Sequence, residues 1–501
     1  MRRNLLFVFA LLGISLQAQQ NQLLEADFWK INPDINAVKQ AVATGNSASQ
    51  FNDNTFDPVT LAINNKMPLA TVQYLLEQPG NSVDKITHDG RIYLHWAAMS
   101  GNAEIVKYLI AKGSDVNKGD ARGNTPLVFG ASAGMNNKEI YEMFFKAGVD
   151  PKKKYGNGQT ILHIAIAGDQ NLEFTNYLIS KGLSLKDVDV KGSTVFDYAA
   201  SMGNIELLKK IQAQGIKATQ QALINASQGT RRTSNGLNVF QYLIDDVKLD
   251  PKTTNQEGAN LLSVIARKPN QSEIIYYLIS KGADANKLDE NGNNALMIAS
   301  GGKDMDNVKS LLAKTKDINI QNANGESALT QAFKSGSSEV VAYLLENKAN
   351  PEVKDIKGNN LAYYVIQSYR PGSSATQGGS NNGTKKDDFA EKLNLLQSKG
   401  IDLKVPQADG NTVLLLAIAK NDLGLLKKLE PFKIDVNAKN AESMTALHKA
   451  SLIAKDDQIL KYLVGIGAKK DIKTEFEETA YDLASENEYL QKSKTSIEFL
   501  K

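Results

Sequence analysis

The chain has 501 residues, with 58 lysines and arginines against 55 aspartates and glutamates, four histidines and no cysteine. Without cysteine there can be no disulfide, no thiolate catalysis and no lipid attached through sulfur. A formal charge of +3 without long single-sign runs argues against nucleic acid or an anionic membrane as partner.

At the start of the chain, Arg2 and Arg3 precede an apolar stretch from Leu5 to Leu16, followed by Gln17-Ala18-Gln19-Gln20. This is the charged head, short apolar core and polar exit of a cleavable signal peptide over residues 1–18. The stretch is shorter than the ~20 residues needed to span a bilayer. Loss of Arg2 and Arg3 leaves 56 basic against 55 acidic residues. The expected mature protein is periplasmic or secreted, with no membrane span. Residues 19–54, with Phe28, Trp29, Val38 and Val42, predict an N-terminal capping helix pair.

From residue 55 onward one phrase recurs: a glycine turn, a short apolar helix, then a second helix with a Leu-rich end. Clear copies run from Asp89 to Lys118, Gly123 to Ser132 and Asn157 to Gly182. So short a unit cannot bury its own apolar face and must stack on its neighbours. Alignment on the second residue after the turn glycine picks out Asp57, Ile92, Thr125, Thr160, Thr194, Asn260, Asn294, Ser327, Asn360, Thr412, Thr445 and Thr479. Most steps are 33 to 35 residues; one of 66 holds a degenerate unit around Leu223 to Ala226, and one of 52 holds an insertion. All but Ile92 carry a side-chain oxygen suited to capping a helix N-terminus. Pro58 and Pro126 follow where a missing N–H costs nothing. Small residues three beyond an apolar anchor (Leu94/Ala97, Leu162/Ala165, Leu296/Ala299, Leu447/Ala450) let first helices approach closely. Second helices place Ile105, Val106 and Leu109, or Val340, Val341 and Leu344, on one face. Several end at a glycine able to take the left-handed cap: Gly113, Gly182, Gly282 and Gly400.

On these residues the chain resembles the ankyrin-repeat family. The family phrase G-x-T-P-L-H is matched by Gly123-Asn124-Thr125-Pro126-Leu127, by Gly158 to His163 and by Ser443 to His448; Gly282-Ala283-Asp284-Ala285-Asn286 matches its turn. The glycine turn between units argues against the similarly spaced TPR repeat. The resemblance implies an all-α ankyrin-repeat solenoid, elongated and curved, of about 13 helix-turn-helix units plus the N-terminal capping helix pair. Repeats are expected at 55–218, a degenerate repeat at 219–257, and repeats again at 258–476 with an insertion loop at 371–386; residues 477–501 form a C-terminal capping repeat. In the degenerate unit Gly215 runs almost directly into the next helix, and Gly229 to Gly236 separates its two helices.

Catalytic, metal and cofactor sites are not expected. His95, His163 and His448 fall in separate units at the family's histidine position, where the ring is expected to bond turn backbone; His88 sits on a finger tip with no evident partner. Asp289-Glu290-Asn291-Gly292 looks like a calcium loop, but Lys287 stands where an oxygen ligand is needed. The glycines from 378 to 383 lack a phosphate-loop lysine, Thr384 standing in its place. The resemblance implies that fingers and first helices form a concave groove for a protein. The seventh residue of each unit lies near it: Trp96, Phe129 and Tyr198 are large there, and Arg91 and Arg122 flank them on fingers. Aromatics with arginine are common interface anchors, so these five are the candidate partner-binding residues, with half-buried packing as the competing reading. The function expected is a monomeric, non-enzymatic scaffold exported to a bacterial periplasm. The resemblance adds support of a peroxide-detoxifying enzyme as a possible task. A secreted effector binding host proteins, and an enzyme using the 371–386 loop, are the alternatives.

Overall fold

The computed structural model describes residues 21–230, 233–370 and 387–501. The signal peptide expected at 1–18 and the insertion loop at 371–386 lie outside these residues. The chain forms two compact units, Met1–Asn225 and Ala226–Lys501. Among the described residues there are 28 α-helices and no strand. They alternate as the period requires, giving thirteen helix pairs after an N-terminal pair.

In the first unit the N-terminal pair is Ala26–Lys30 with Ile35–Ala43, and Trp29 is fixed by donating its indole N–H to the Leu23 carbonyl at 2.9 Å. Repeats follow with first helices Pro58–Asn64, Tyr93–Ser100, Pro126–Ser132, Ile161–Ala165 and Val195–Ala199. In the second unit the first helices include Leu261–Ile265, Ala295–Ser300, Ala328–Ser335, Leu361–Ser368, Val413–Ile418, Ala446–Ile453 and Ala480–Glu486. All twelve aligned positions are helix N-caps, and nine accept a backbone N–H on the side chain. Ile92 has no oxygen to offer, and Thr125 and Thr194 make no such bond. The anchors Leu94, Leu162, Leu296 and Leu447 and their partner alanines are all buried, as are Ile105, Val106 and Leu109. Gly130 needs its missing side chain: a Cβ there would meet the Ala98 carbonyl carbon at 3.0 Å.

The fingers between pairs are closed by short polar side chains. Asp120, Asp189, Asn255, Asp289, Asn322, Asp355 and Asn440 each accept the N–H groups two and four residues on. Adjacent finger tips then bond backbone to backbone: Ala121 to Asp89 at 2.8 Å and Val190 to Asn157 at 2.9 Å in the first unit; Ala323 to Asn291 at 2.8 Å and Ile356 to Asn324 at 3.0 Å in the second. The acidic finger at Asp289 therefore spends its carboxylate on its own turn.

The degenerate unit keeps a first helix at Gln221–Gln228, but it has no finger ahead of it. Asp197, which occupies the family's histidine position, takes over that task within the first unit. Its buried carboxylate accepts Thr219 N and Thr219 Oγ1, both at 2.8 Å, and Thr194 N at 2.8 Å; Asn225 Nδ2 donates to its carbonyl at 2.8 Å. The second helix, Leu237–Gln241, runs on as a π-helical turn, Tyr242–Asp246, which a 3.6-residue period does not anticipate.

Candidate partner-binding face

Each first helix begins with a cap and carries two residues, the sixth and seventh of the repeat, that decide what its finger-side face offers. Histidine at the sixth position stitches repeats together. His95, His163 and His448 accept the N-cap N–H on Nδ1 at 3.3, 3.2 and 3.1 Å. Their Nε2 atoms meet the carbonyls of Asn124, Asp187 and Ile472 at 3.0, 3.1 and 2.9 Å. A ring that accepts on one nitrogen and donates on the other is neutral, and burial holds all three imidazoles below their ordinary pKa. The turn-backbone role expected for them is what they perform. His88 does have partners: its Nδ1 lies 2.9 Å from the Asn54 carbonyl and its ring 4.8 Å from Phe56.

The seventh residue reaches back to its own finger. Trp96 Nε1 donates to Thr87 Oγ1 at 2.9 Å; the Tyr198 and Tyr364 hydroxyls donate to Asp189 and Asp355, each at 2.7 Å; Gln331 donates to Glu326 at 2.7 Å. Burial, reinforced by the Asp189 hydrogen bond, pushes the Tyr198 phenol well above its usual range, so it stays a donor.

Of the five candidate residues, three meet. Arg91 places its guanidinium carbon 5.1 Å from the Trp96 ring centre and 4.3 Å from that of Phe129. Trp96 and Phe129 pack edge-to-face at 5.5 Å, and Phe56 adds a third ring 5.4 Å from Trp96. The arginine is not on the rim. It is 6 % exposed, because Asp120 at 3.1 Å and Asp89 at 3.2 Å draw it inward. Trp96 is 5 % exposed, whereas Phe129 is half-buried. Arg122 lies exposed on the next finger. Tyr198 makes no contact with the cluster; it sits against His163 at 5.2 Å and accepts from Gln159 at 2.9 Å. The surface that Phe129, Phe56 and Arg122 leave available is thus a small aromatic patch backed by a buried cation.

Two buried charges escape sequence reading. Asp57, fully buried, pairs with Lys85 at 2.8 Å and accepts from Tyr93 Oη at 2.5 Å and from Thr60. Lys392, 2 % exposed, donates to the Gly336 carbonyl at 2.6 Å and pairs with Asp388 at 3.3 Å. Both sets are internally satisfied. Among the described residues no three metal-binding side chains lie together, and no helix is long and apolar enough to cross a membrane.

A family model described as "Ankyrin repeats (3 copies)" matches residues 59–155, 127–222, 223–322 and 262–355, more than half of the chain. The chain is similar to a putative palmitoyltransferase of Danio rerio, 33% identical over 126 residues, which is 25% of this chain and 19% of that protein. It is 30% identical over 152 residues to a probable 26S proteasome regulatory subunit of Saccharomyces cerevisiae, 29% of this chain and 65% of that one. A putative ankyrin repeat protein of Fowlpox virus is 30% identical over 123 residues, covering 24% of this chain and 82% of the viral one. The matched stretches thus span less than two thirds of the first two relatives.

Proposed function

The chain belongs to the ankyrin-repeat family, and from that premise we propose that it is a non-enzymatic scaffold, exported to a bacterial periplasm, that holds a protein partner against its fingers and first helices. Ankyrin repeats are protein-interaction scaffolds, and their fold is generally not catalytic; sharing repeats with a palmitoyltransferase over 19% of that protein carries no activity across. The observation that carries the reading is the cluster of Phe56, Arg91, Trp96 and Phe129. A cation desolvated between aromatic rings fixes those rings rigidly, which is how an interface anchor avoids losing side-chain entropy on binding. Export rests on the charged and apolar pattern of residues 1–18. Support of a peroxide-detoxifying enzyme is one task that the family resemblance suggests.

Co-purification from periplasm with the full chain, followed by mass spectrometry, tests the reading. Wild type is expected to retain one or a few proteins that the Trp96→Ala, Phe129→Ala double variant loses while its helical signal is kept. Equal retention by both would reject this face, and cytoplasmic protein with an uncleaved N-terminus would reject export.

A further inference from the structure

Three successive fingers of the first unit, those following Gly113, Gly148 and Gly182, expose cations without acids. The first carries Lys118 and Arg122, the second Lys152-Lys153-Lys154, the third Lys186 and Lys191. All are exposed except Lys118, which is half-buried, and among the described residues none of them forms an ion pair. The carboxylates of these fingers are placed apart from the cations. Asp120 and Asp189 are buried and accept N–H groups of their own turns, Asp120 also holding Arg91. Asp187 is half-buried and accepts the Ser184 N–H at 3.3 Å. The exposed pair, Asp115 and Asp150, stand at the feet of their fingers, two residues past the glycine, and accept the Asn117 and Lys152 N–H groups. From there to the tips no exposed side chain is acidic. Other fingers mix the signs, with Glu257, Glu290, Asp409 or Glu442 exposed at their tips.

The three fingers make one surface. Val190 donates its N–H to the Asn157 carbonyl at 2.9 Å, and Lys153 Nζ reaches Asn117 Oδ1 at 3.4 Å. Lys152 lies across Gly182, where an added Cβ would meet its Cε at 2.6 Å. Like charges gathered this way repel one another, and an opposing row of carboxylates relieves that repulsion. The groups between the cations favour a protein as the source of those carboxylates. Val188 and Val190, 48 % and 76 % exposed, lie between Lys186 and Lys191. Tyr155, the one ring on these fingers, is half-buried, with Lys153 Nζ 5.7 Å from its centre. A nucleic-acid strand is held by rings free to stack on its bases, and these fingers offer aliphatic side chains instead.

We propose that these fingers dock an acidic face of the protein partner, its carboxylates set over the lysines and Arg122. The proposal rests on the scaffold reading and specifies the chemistry of the partner; Arg122, which also borders the aromatic patch of Phe56 and Phe129, joins the two surfaces. The probe is a fluorescein-labelled, amidated peptide of five Glu-Ala repeats, compared with one of five Gln-Ala repeats and with a labelled thymidine hexanucleotide of equal charge. Binding to the full chain is read by fluorescence polarisation. The glutamate peptide is expected to bind about tenfold more tightly than the glutamine peptide, since several exposed charge pairs, each weak alone, act together, and to weaken as salt is raised. Replacing Lys152, Lys153, Lys154 and Lys186 together by glutamine should erase that preference with the melting temperature unchanged, and arginine at the same four positions should keep it. Glutamine at Lys314, Lys316, Lys348 and Lys354, exposed in the second unit, removes the same charge and should leave the preference intact. Equal affinity for the glutamate and glutamine peptides, or equal losses from the two sets of glutamine substitutions, overturns the proposal. Tighter binding of the hexanucleotide than of the glutamate peptide would overturn it in favour of a nucleic acid. A protein that still captures its periplasmic partner through Trp96 and Phe129 but shows no glutamate preference would refute the acidic face and spare the scaffold.

Discussion

Asp57 shows what a single buried charge demands. Its carboxylate is fully buried and is balanced by Lys85, Tyr93 and Thr60. Lys85 in turn reaches the Ser49 carbonyl and Asn81 Oδ1 at 2.7 and 2.9 Å, tying the residues after the N-terminal pair to the first repeat. Lys85→Met leaves the carboxylate uncompensated, and removing one partner of a buried pair costs roughly 3–5 kcal/mol. Urea unfolding should show that loss, and Asp57→Asn in the same background should return part of it. The histidines make stability depend on pH. Their folded pKa values lie below the unfolded ~6.5, so as the pH falls the unfolded chain takes up protons first. Stability from these rings is complete above that value and declines below it until the folded pKa is reached. Thermal melting at pH 7.5 and pH 5.5 should show the fall. His163→Gln with His448→Gln should lessen the slope between the two.

At the level of the element, Asp197 replaces a finger with a side chain. Helix Gln221–Gln228 begins next to Thr219, whose backbone and hydroxyl both donate to that carboxylate. Asp197→Asn removes one acceptor face and opposes the Thr194 N–H with an amide donor; the expected loss is about 1–3 kcal/mol, read as faster hydrogen exchange confined to the helix and its approach. An unchanged rate there would mean that the apolar contacts of Leu223 alone hold it. This element also marks how far the sequence could be read. The helix starts were legible because capping chemistry is local: an oxygen-bearing side chain bonds an N–H two or three residues away, so the period and the residue type coincide. Asp197 closes a Thr-x-x-Asp capping box on Thr194, and its second role spans 22 residues to Thr219. The candidate face divides in the same way. The large residues at position seven follow from the register, whereas the inward turn of Arg91 depends on Asp120, 29 residues away.

For the molecule, repeats that touch only their neighbours make stability a local quantity. Within each unit backbone bonds join several neighbouring finger tips, as between Asn157 and Val190 or between Asn324 and Ile356. Where the degenerate repeat begins, the approach is held instead by side chains, Thr194 Oγ1 to the Lys217 carbonyl at 3.0 Å and Asp197 to Thr219. Side-chain attachments leave the backbone N–H groups of the approach more open to water than a ladder does. Hydrogen exchange across the chain should therefore be uneven, with residues 215–240 exchanging before the repeats on either side in sequence. Leu162→Ala provides the complementary probe, since a fully enclosed leucine costs about 2–5 kcal/mol to truncate. Its effect should spread through Pro126–Ser132, Ile161–Ala165 and Val195–Ala199, the helices packed in sequence around it. Helix Ala328–Ser335 should exchange as in wild type. If one substitution raised exchange equally in both regions, the chain would be unfolding as a single cooperative body, and neighbour-only coupling would fail as the account of its stability.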